Sequence, residues 1–88
     1  MTPWRITWTK TAHSYYSRMS KQYQAKAREA IHELETDPLS SRNVKRLHGD
    51  LEGLCRYRLG RFRIVFRVVE EEREVRILAI AGRGDVYK

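Results

Sequence analysis

Leu54-Cys55-Arg56-Tyr57-Arg58-Leu59-Gly60-Arg61-Phe62-Arg63-Ile64-Val65-Phe66-Arg67-Val68-Val69 is the stretch that decides the fold. Its first half alternates with period two. Cys55, Tyr57 and Leu59 fall on one face of an extended strand, and Arg56 and Arg58 fall on the other. Gly60-Arg61 breaks the alternation with a glycine, the residue that supplies positive φ in a tight hairpin turn. Beyond the turn, Phe62, Ile64, Phe66 and Val68 are expected to face a core, with Arg63, Val65 and Arg67 facing out. The pair reads as an antiparallel hairpin with an arginine-rich outer face.

Downstream, Glu70-Glu71-Glu72 reads as a solvated turn. Val75 to Ala81 is nearly apolar throughout, so it reads as a third consecutive strand, central or covered. Upstream, residues 38–53 mix Pro, Ser, Asn, Gly and Asp with the anchors Val44, Leu47 and Leu51. They read as a connecting loop with room for one short helical turn. Before that loop, Tyr23, Ala27, Ala30, Ile31 and Leu34 form an apolar stripe opposite Lys21, Arg28, Glu29 and Glu35, which predicts an amphipathic helix. Asp37-Pro38 ends it, because a residue before proline disfavours the helical region. Ala12, Tyr15, Tyr16 and Met19 predict an earlier helix, with Thr9 or Thr11 as its cap and Ser20 able to cap the second. Trp4-Arg5-Ile6-Thr7-Trp8 alternates and reads as a first strand. The predicted order is β-α-α-β-β-β. This is an α+β domain over residues 1–88: a small antiparallel-dominated sheet with a helical hairpin packed on one face.

Length and charge narrow the function. A chain of 88 residues has room for one small core and no second catalytic domain. Eighteen Lys+Arg against eleven Asp+Glu leave a net charge of +7, which suggests an anionic partner. Residues 54–68 hold five arginines and no acid. Guanidinium groups on a sheet face are planar, bidentate donors suited to phosphate oxygens. The alternative is a solvated face ion-paired with the Glu70–Glu74 cluster. A single cysteine, Cys55, excludes an intrachain disulfide. Together with His13, His32 and His48 it makes no metal-ligand spacing, so no metal and no cofactor are expected. No apolar run approaches a membrane span, and the expected setting is the cytoplasm. His48 is a candidate general acid/base beside phosphates, Arg83 a candidate phosphate ligand, and Tyr87 a candidate stacking or proton-moving group.

These residues resemble the RelE/ParE superfamily of bacterial and archaeal toxins, and the resemblance covers nearly the whole chain. Lys45-Arg46-Leu47-His48-Gly49 and Gly53 to Phe66 are similar to the family's Lys-x-Leu-x-Gly…Gly-x-x-Arg-x-Arg-x-Gly-x-[Tyr/Phe]-Arg-[Ile/Val]-x-[Tyr/Phe] signature. Arg83-Gly84-Asp85-Val86-Tyr87 resembles its C-terminal Arg-x-[Asp/Glu]-Val-Tyr. The RelE-like branch implies a toxin of a type II toxin–antitoxin system that arrests growth as an mRNA interferase. This activity is ribosome-dependent, metal-independent endoribonucleolytic cleavage in the decoding site, by 2′-OH attack to a 2′,3′-cyclic phosphate. The implied partners are a cognate antitoxin, the ribosome and mRNA, with operator DNA reached only through the antitoxin complex. Carried over by position, Arg56, Arg58, Arg63, Arg83 and Tyr87 are the implied catalytic set. Lys45, Arg46, His48, Arg61 and Arg67 are candidate RNA-binding residues. Two positions depart from relatives, some of which carry lysine at Arg56 and Arg58 and many of which carry histidine at Gly82. The general base is therefore unassigned. A ParE-like inhibitor of DNA gyrase and a noncatalytic basic RNA- or antitoxin-binding module are the alternatives.

Overall fold

The structure is a computed structural model that describes residues 3–47, 49 and 53–82. Its elements are β1 (Arg5–Trp8), α1 (Lys10–Ser17), α2 (Lys21–Thr36), β2 (Val44–Arg46), β3 (Leu54–Leu59), β4 (Phe62–Val69) and β5 (Glu74–Gly82), with a 3-10 turn over Glu70–Glu72. The described strands form one sheet in the order β1-β5-β4-β3-β2. β5 is thus an interior strand, covered on both edges by β1 and β4, in keeping with its apolar sequence. β1 joins it in parallel, and the other pairings are antiparallel.

One expectation is corrected. The segment predicted as a connecting loop contains β2, a three-residue edge strand paired to β3 with Lys45 opposite Arg56. Val44-Lys45-Arg46 is too short to show a period. It is a strand because β3 offers it an open ladder, and the Asn43 carbonyl accepts from Arg58 N–H at 2.9 Å.

The helices start where capping residues allow. Thr9 Oγ1 accepts from Ala12 N–H at 3.2 Å, and Ser20 Oγ accepts from Tyr23 N–H at 3.4 Å. α2 stops at Thr36, where Asp37 turns extended ahead of Pro38. Both helices lie on one sheet face, α1 on β5 and α2 on β3 and β1. Ala12, Ala27 and Ala30, small and fully buried, face inward there, with Leu34, Ile64, Phe66, Val75 and Ile77 filling the core.

A bulge tunes the centre of the sheet. Val65 pairs with Ala79 and Phe66 with Ile77, so Leu78 is the extra residue on β5. It lets Ile77 and Ile80, three apart, both reach the core. The carbonyl of Leu78 accepts from Thr9 Oγ1 at 2.8 Å. One hydroxyl therefore caps α1 and satisfies the bulge.

The β3–β4 turn has positive φ at Gly60 (59°) and not at Arg61, the sign pattern of a II′ hairpin. It keeps the two arginine strands in register. Among the described residues no helix is long and apolar enough to cross a membrane.

Candidate nucleic-acid interface

The sheet face opposite the helices collects the arginines. Lys45 on β2 stands opposite Arg56 on β3, and Arg56 stands opposite Val65 on β4. The next rung pairs Arg58 with Arg63 and Arg63 with Ala81, and the rung on the other side pairs Leu54 with Arg67 and Arg67 with Arg76. Because Arg58 N–H bonds to β2, its pair with Arg63 is of the non-hydrogen-bonded kind. That is the closer of the two antiparallel pairings, with Cα atoms about 4.5 Å apart. Like charges placed so are unfavourable. Among the described residues, Arg56, Arg58, Arg61, Arg63 and Arg67 make no ion pair.

The acids that might have neutralised the face are engaged elsewhere. Glu74, only 4% exposed, accepts from Arg76 Nε at 3.1 Å and Nη2 at 3.2 Å, and from Thr7 Oγ1 at 2.5 Å. Arg5 reaches Glu72 at 3.4 Å and Glu74 at 3.6 Å. These bonds, from Arg76 first and Thr7 next, hold the Glu74 carboxyl below the usual carboxylate range. The cluster therefore ties β1 to β5 and, among the described residues, gives the arginine rows on β3 and β4 no ion-pair partner.

Arg63 sits at the middle of the face and is half-buried. Its Nε is buried with no hydrogen-bond partner among the described residues. Unsatisfied buried donors are costly and uncommon, and a guanidinium held this way is prepared to donate to an oxygen brought from outside. Val65 is only 5% exposed although it lies on this outer face.

Lys45, Arg56, Arg58, Arg63 and Arg67 are thus brought together. Arg46 is not: it pairs with Cys55, on the helix side of the sheet, where it borders a groove with Leu39 and Leu47. Arg61 stands exposed on the β3–β4 turn. His48, Arg83 and Tyr87 lie outside the described residues. His13 and His32 are exposed on the helices. Burial raises the Cys55 thiol, which removes it as a nucleophile. Among the described residues no cluster of three His, Cys, Asp or Glu side chains forms a metal site.

Tyr57, on the core side between Arg56 and Arg58, anchors the strand that carries them. Its hydroxyl donates to Glu33 Oε2 at 2.7 Å and accepts from Asn43 Nδ2 at 3.4 Å. Burial, with the Glu33 carboxylate next, pushes the phenol up to about 12. Hydrogen bonds from Ser41 and Tyr57 hold Glu33 low. This positioning role escaped the sequence reading. The alternation marks Tyr57 only as a core residue and says nothing of a partner on a helix.

The family model for the ParE toxin of type II toxin–antitoxin systems, parDE, matches residues 6–87. The chain belongs to this toxin family. Solved structures agree with that placement in the RelE/ParE superfamily. The RelBE2 toxin–antitoxin complex from Mycobacterium tuberculosis contains a chain 30% identical over 97% of each chain, with a TM-score of 0.82. A chain of the archaeal RelE–RelB complex from Pyrococcus horikoshii is 27% identical over 97% of this chain and 99% of that one, with a TM-score of 0.82. The isolated Escherichia coli RelE toxin, 17% identical, covers 96% and 90% of the two chains at a TM-score of 0.78 and shares the fold. No curated protein matches significantly by sequence. The molecule is therefore a type II toxin of the RelE/ParE superfamily.

Proposed function

We propose that this toxin is a ribosome-dependent endoribonuclease that cuts mRNA in the decoding site. The observation that carries the reading is the Arg58–Arg63 rung. Two like charges are held opposite each other, neither ion-paired among the described residues, and one of them has a buried Nε without a partner there. Such an arrangement is unfavourable in the free protein and favourable once a phosphodiester lies across it.

The reaction is attack of a ribose 2′-oxygen on the adjacent phosphorus. The 2′-OH gives up its proton, the P–O5′ bond breaks, and the products are a 2′,3′-cyclic phosphate and a 5′-OH. Negative charge grows on the non-bridging oxygens in the transition state. Donors fixed before the reaction stabilise that charge without reorganising. Arg56, Arg58 and Arg63 supply them. Lys45 and Arg67 extend the phosphate track on either side, and Arg61 stands on the turn at its end; by resemblance, Arg46 and His48 are further RNA contacts. By resemblance, Arg83 serves the leaving oxygen and Tyr87 orients a base. Tyr57 is excluded as the proton acceptor, since its phenol faces the core and binds its proton tightly. A cognate antitoxin is the protein partner, a reading supported by the solved relatives that are toxin–antitoxin complexes. Operator DNA is reached only through that complex, and the site of action is the cytoplasm, where ribosomes translate.

A second reading, inhibition of DNA gyrase, draws on the ParE name of the matching family model. Primer extension on mRNA in programmed ribosomes, with naked mRNA as control, separates the two. New ends within the decoding-site codon, formed only with ribosomes, are expected. Intact mRNA with loss of gyrase supercoiling activity refutes the ribonuclease.

A further inference from the structure

A second surface lies round the β3–β4 turn from the arginine rows, on the helix side. Tyr15, Met19, Tyr23 and Phe62 line a cleft of about 460 Å³ between the tip of the helical hairpin and the turn. Its rim carries Arg18 and Arg61, both exposed and neither ion-paired among the described residues. Lys26 Nζ sits 5.3 Å from the Tyr23 ring centre. No acid lines it. The chain's charges are sorted to make this so. α2 opens with Lys21 and has no acid in its first turn, while Glu29, Glu33 and Glu35 lie in its later half. This order opposes the helix dipole, so it does nothing for the helix and concentrates positive charge at the hairpin tip.

The cleft suits a side chain better than a nucleobase. Phe62 meets Tyr15 at 74° and Tyr23 at 72°, centroids 6.2 Å and 4.7 Å apart. The rings lie edge to face and half-buried, so they form a socket rather than a stacking platform. An apolar floor with a cationic rim is complementary to an acidic segment that carries a large apolar side chain.

We infer that this cleft anchors an acidic, apolar-tipped segment of the antitoxin, which the turn then directs onto the arginine face. The inference rests on the proposed antitoxin partnership. It adds to that reading the place of the anchor and the chemistry of what binds there. Arg61 belongs to both surfaces, since the turn that carries it joins the two arginine strands. A segment seated in the cleft therefore needs only to round that turn to lie across Arg58 and Arg63.

The test is calorimetric titration of the purified toxin with its cognate antitoxin. It compares wild type, Arg18→Glu/Arg61→Glu, and Lys10→Glu/Arg42→Glu, which makes the same change in net charge away from the cleft. The cleft variant is expected to weaken binding by at least about tenfold, and the control by less than about threefold. Circular dichroism checks each fold, and Arg61→Glu alone, on an exposed turn, serves if the double variant does not fold. Equal loss in both double variants overturns the cleft and leaves the antitoxin partnership standing. Antitoxin affinity unchanged with ribosomal mRNA cleavage impaired assigns the cleft to RNA and also overturns it. No binding by the wild type removes the partnership itself and the inference with it.

Discussion

Arg58→Gln is predicted to make the protein more stable and less able to bind RNA. The substitution removes one charge from the closest like-charged pair on the sheet and keeps most of the side-chain stem. Two guanidinium groups about 6 Å apart in water repel by roughly 0.7 kcal/mol, within the range of about 0.2–1 kcal/mol for cross-strand pairs. For a domain of this size that is a rise in Tm of about 1–8 °C. The gain should shrink as salt rises, since the screening length falls from about 10 Å at 0.1 M to about 3 Å at 1 M. RNA binding moves the other way. Five cations, Lys45, Arg56, Arg58, Arg63 and Arg67, share the face. If all met phosphates, log K against log salt would slope at about −3.5 for single strands, and Arg58→Gln would make it shallower by about 0.7. Thermal melts at low and high salt and a filter-binding salt series read both effects. A variant that melts lower than wild type, or whose gain ignores salt, refutes the electrostatic argument. An unchanged salt slope refutes Arg58 as a phosphate contact.

Other consequences are as direct. Tyr57→Phe should cost about 1–2 kcal/mol at pH 7 by removing a charge-assisted hydrogen bond, read by urea denaturation. Glu33 titrates below its ordinary value, so this bond stabilises above the usual carboxylate range and is lost as pH falls through it. The difference between wild type and variant should therefore narrow in acid, and a constant difference from pH 7 to 3 would disprove the assignment. Thr9→Ala removes both the α1 cap and the donor to the Leu78 carbonyl, and should cost about 2–3 kcal/mol in chemical denaturation. A loss no larger than that of an exposed cap would mean the bulge does not need the hydroxyl. Glu74→Gln should flatten the acid limb of the stability curve. Glu74 is held low by Arg76 and Thr7, and its contribution is present at neutral pH and lost on protonation. Matching acid limbs in melts from pH 7 to 3 would count against it.

Much of this was legible in the residues. The alternation around Gly60 places every side chain of β3 and β4 on its observed face, because period two follows from backbone geometry whatever the context. Thr9 and Ser20 cap as expected, because capping is local. Features set by distant partners were not legible. β2 is only three residues long and needs β3 beside it to be a strand. The extra residue at Leu78 looks like any other in an apolar run until β4 fixes the register. The acidic cluster is adjacent in sequence to the arginine hairpin, yet Glu72 and Glu74 pair with Arg5 and Arg76, because β1 returns to β5. Arg46 neighbours Lys45 in the sequence and faces the other way for the same reason that made the hairpin readable. Within the site, the row of arginines was visible. The orphaned Nε of Arg63 and the tether from Tyr57 to α2 belong to three dimensions alone.

The parallel pairing of β1 with β5 also sets when the molecule can be complete. Arg5 waits for Glu74, 69 residues later, and closing such a loop carries an entropic cost of about 4 kcal/mol beyond its constant part. β3, β4 and β5 form a meander that can assemble locally, whereas the first strand to leave a ribosome is among the last to find its place. Until β5 is available, Ile6 and Trp8 lack the strand they pair beside. The sheet is thus closed by its two most distant strands, and no shorter piece of the chain can cover Ile6 and Trp8 in this way.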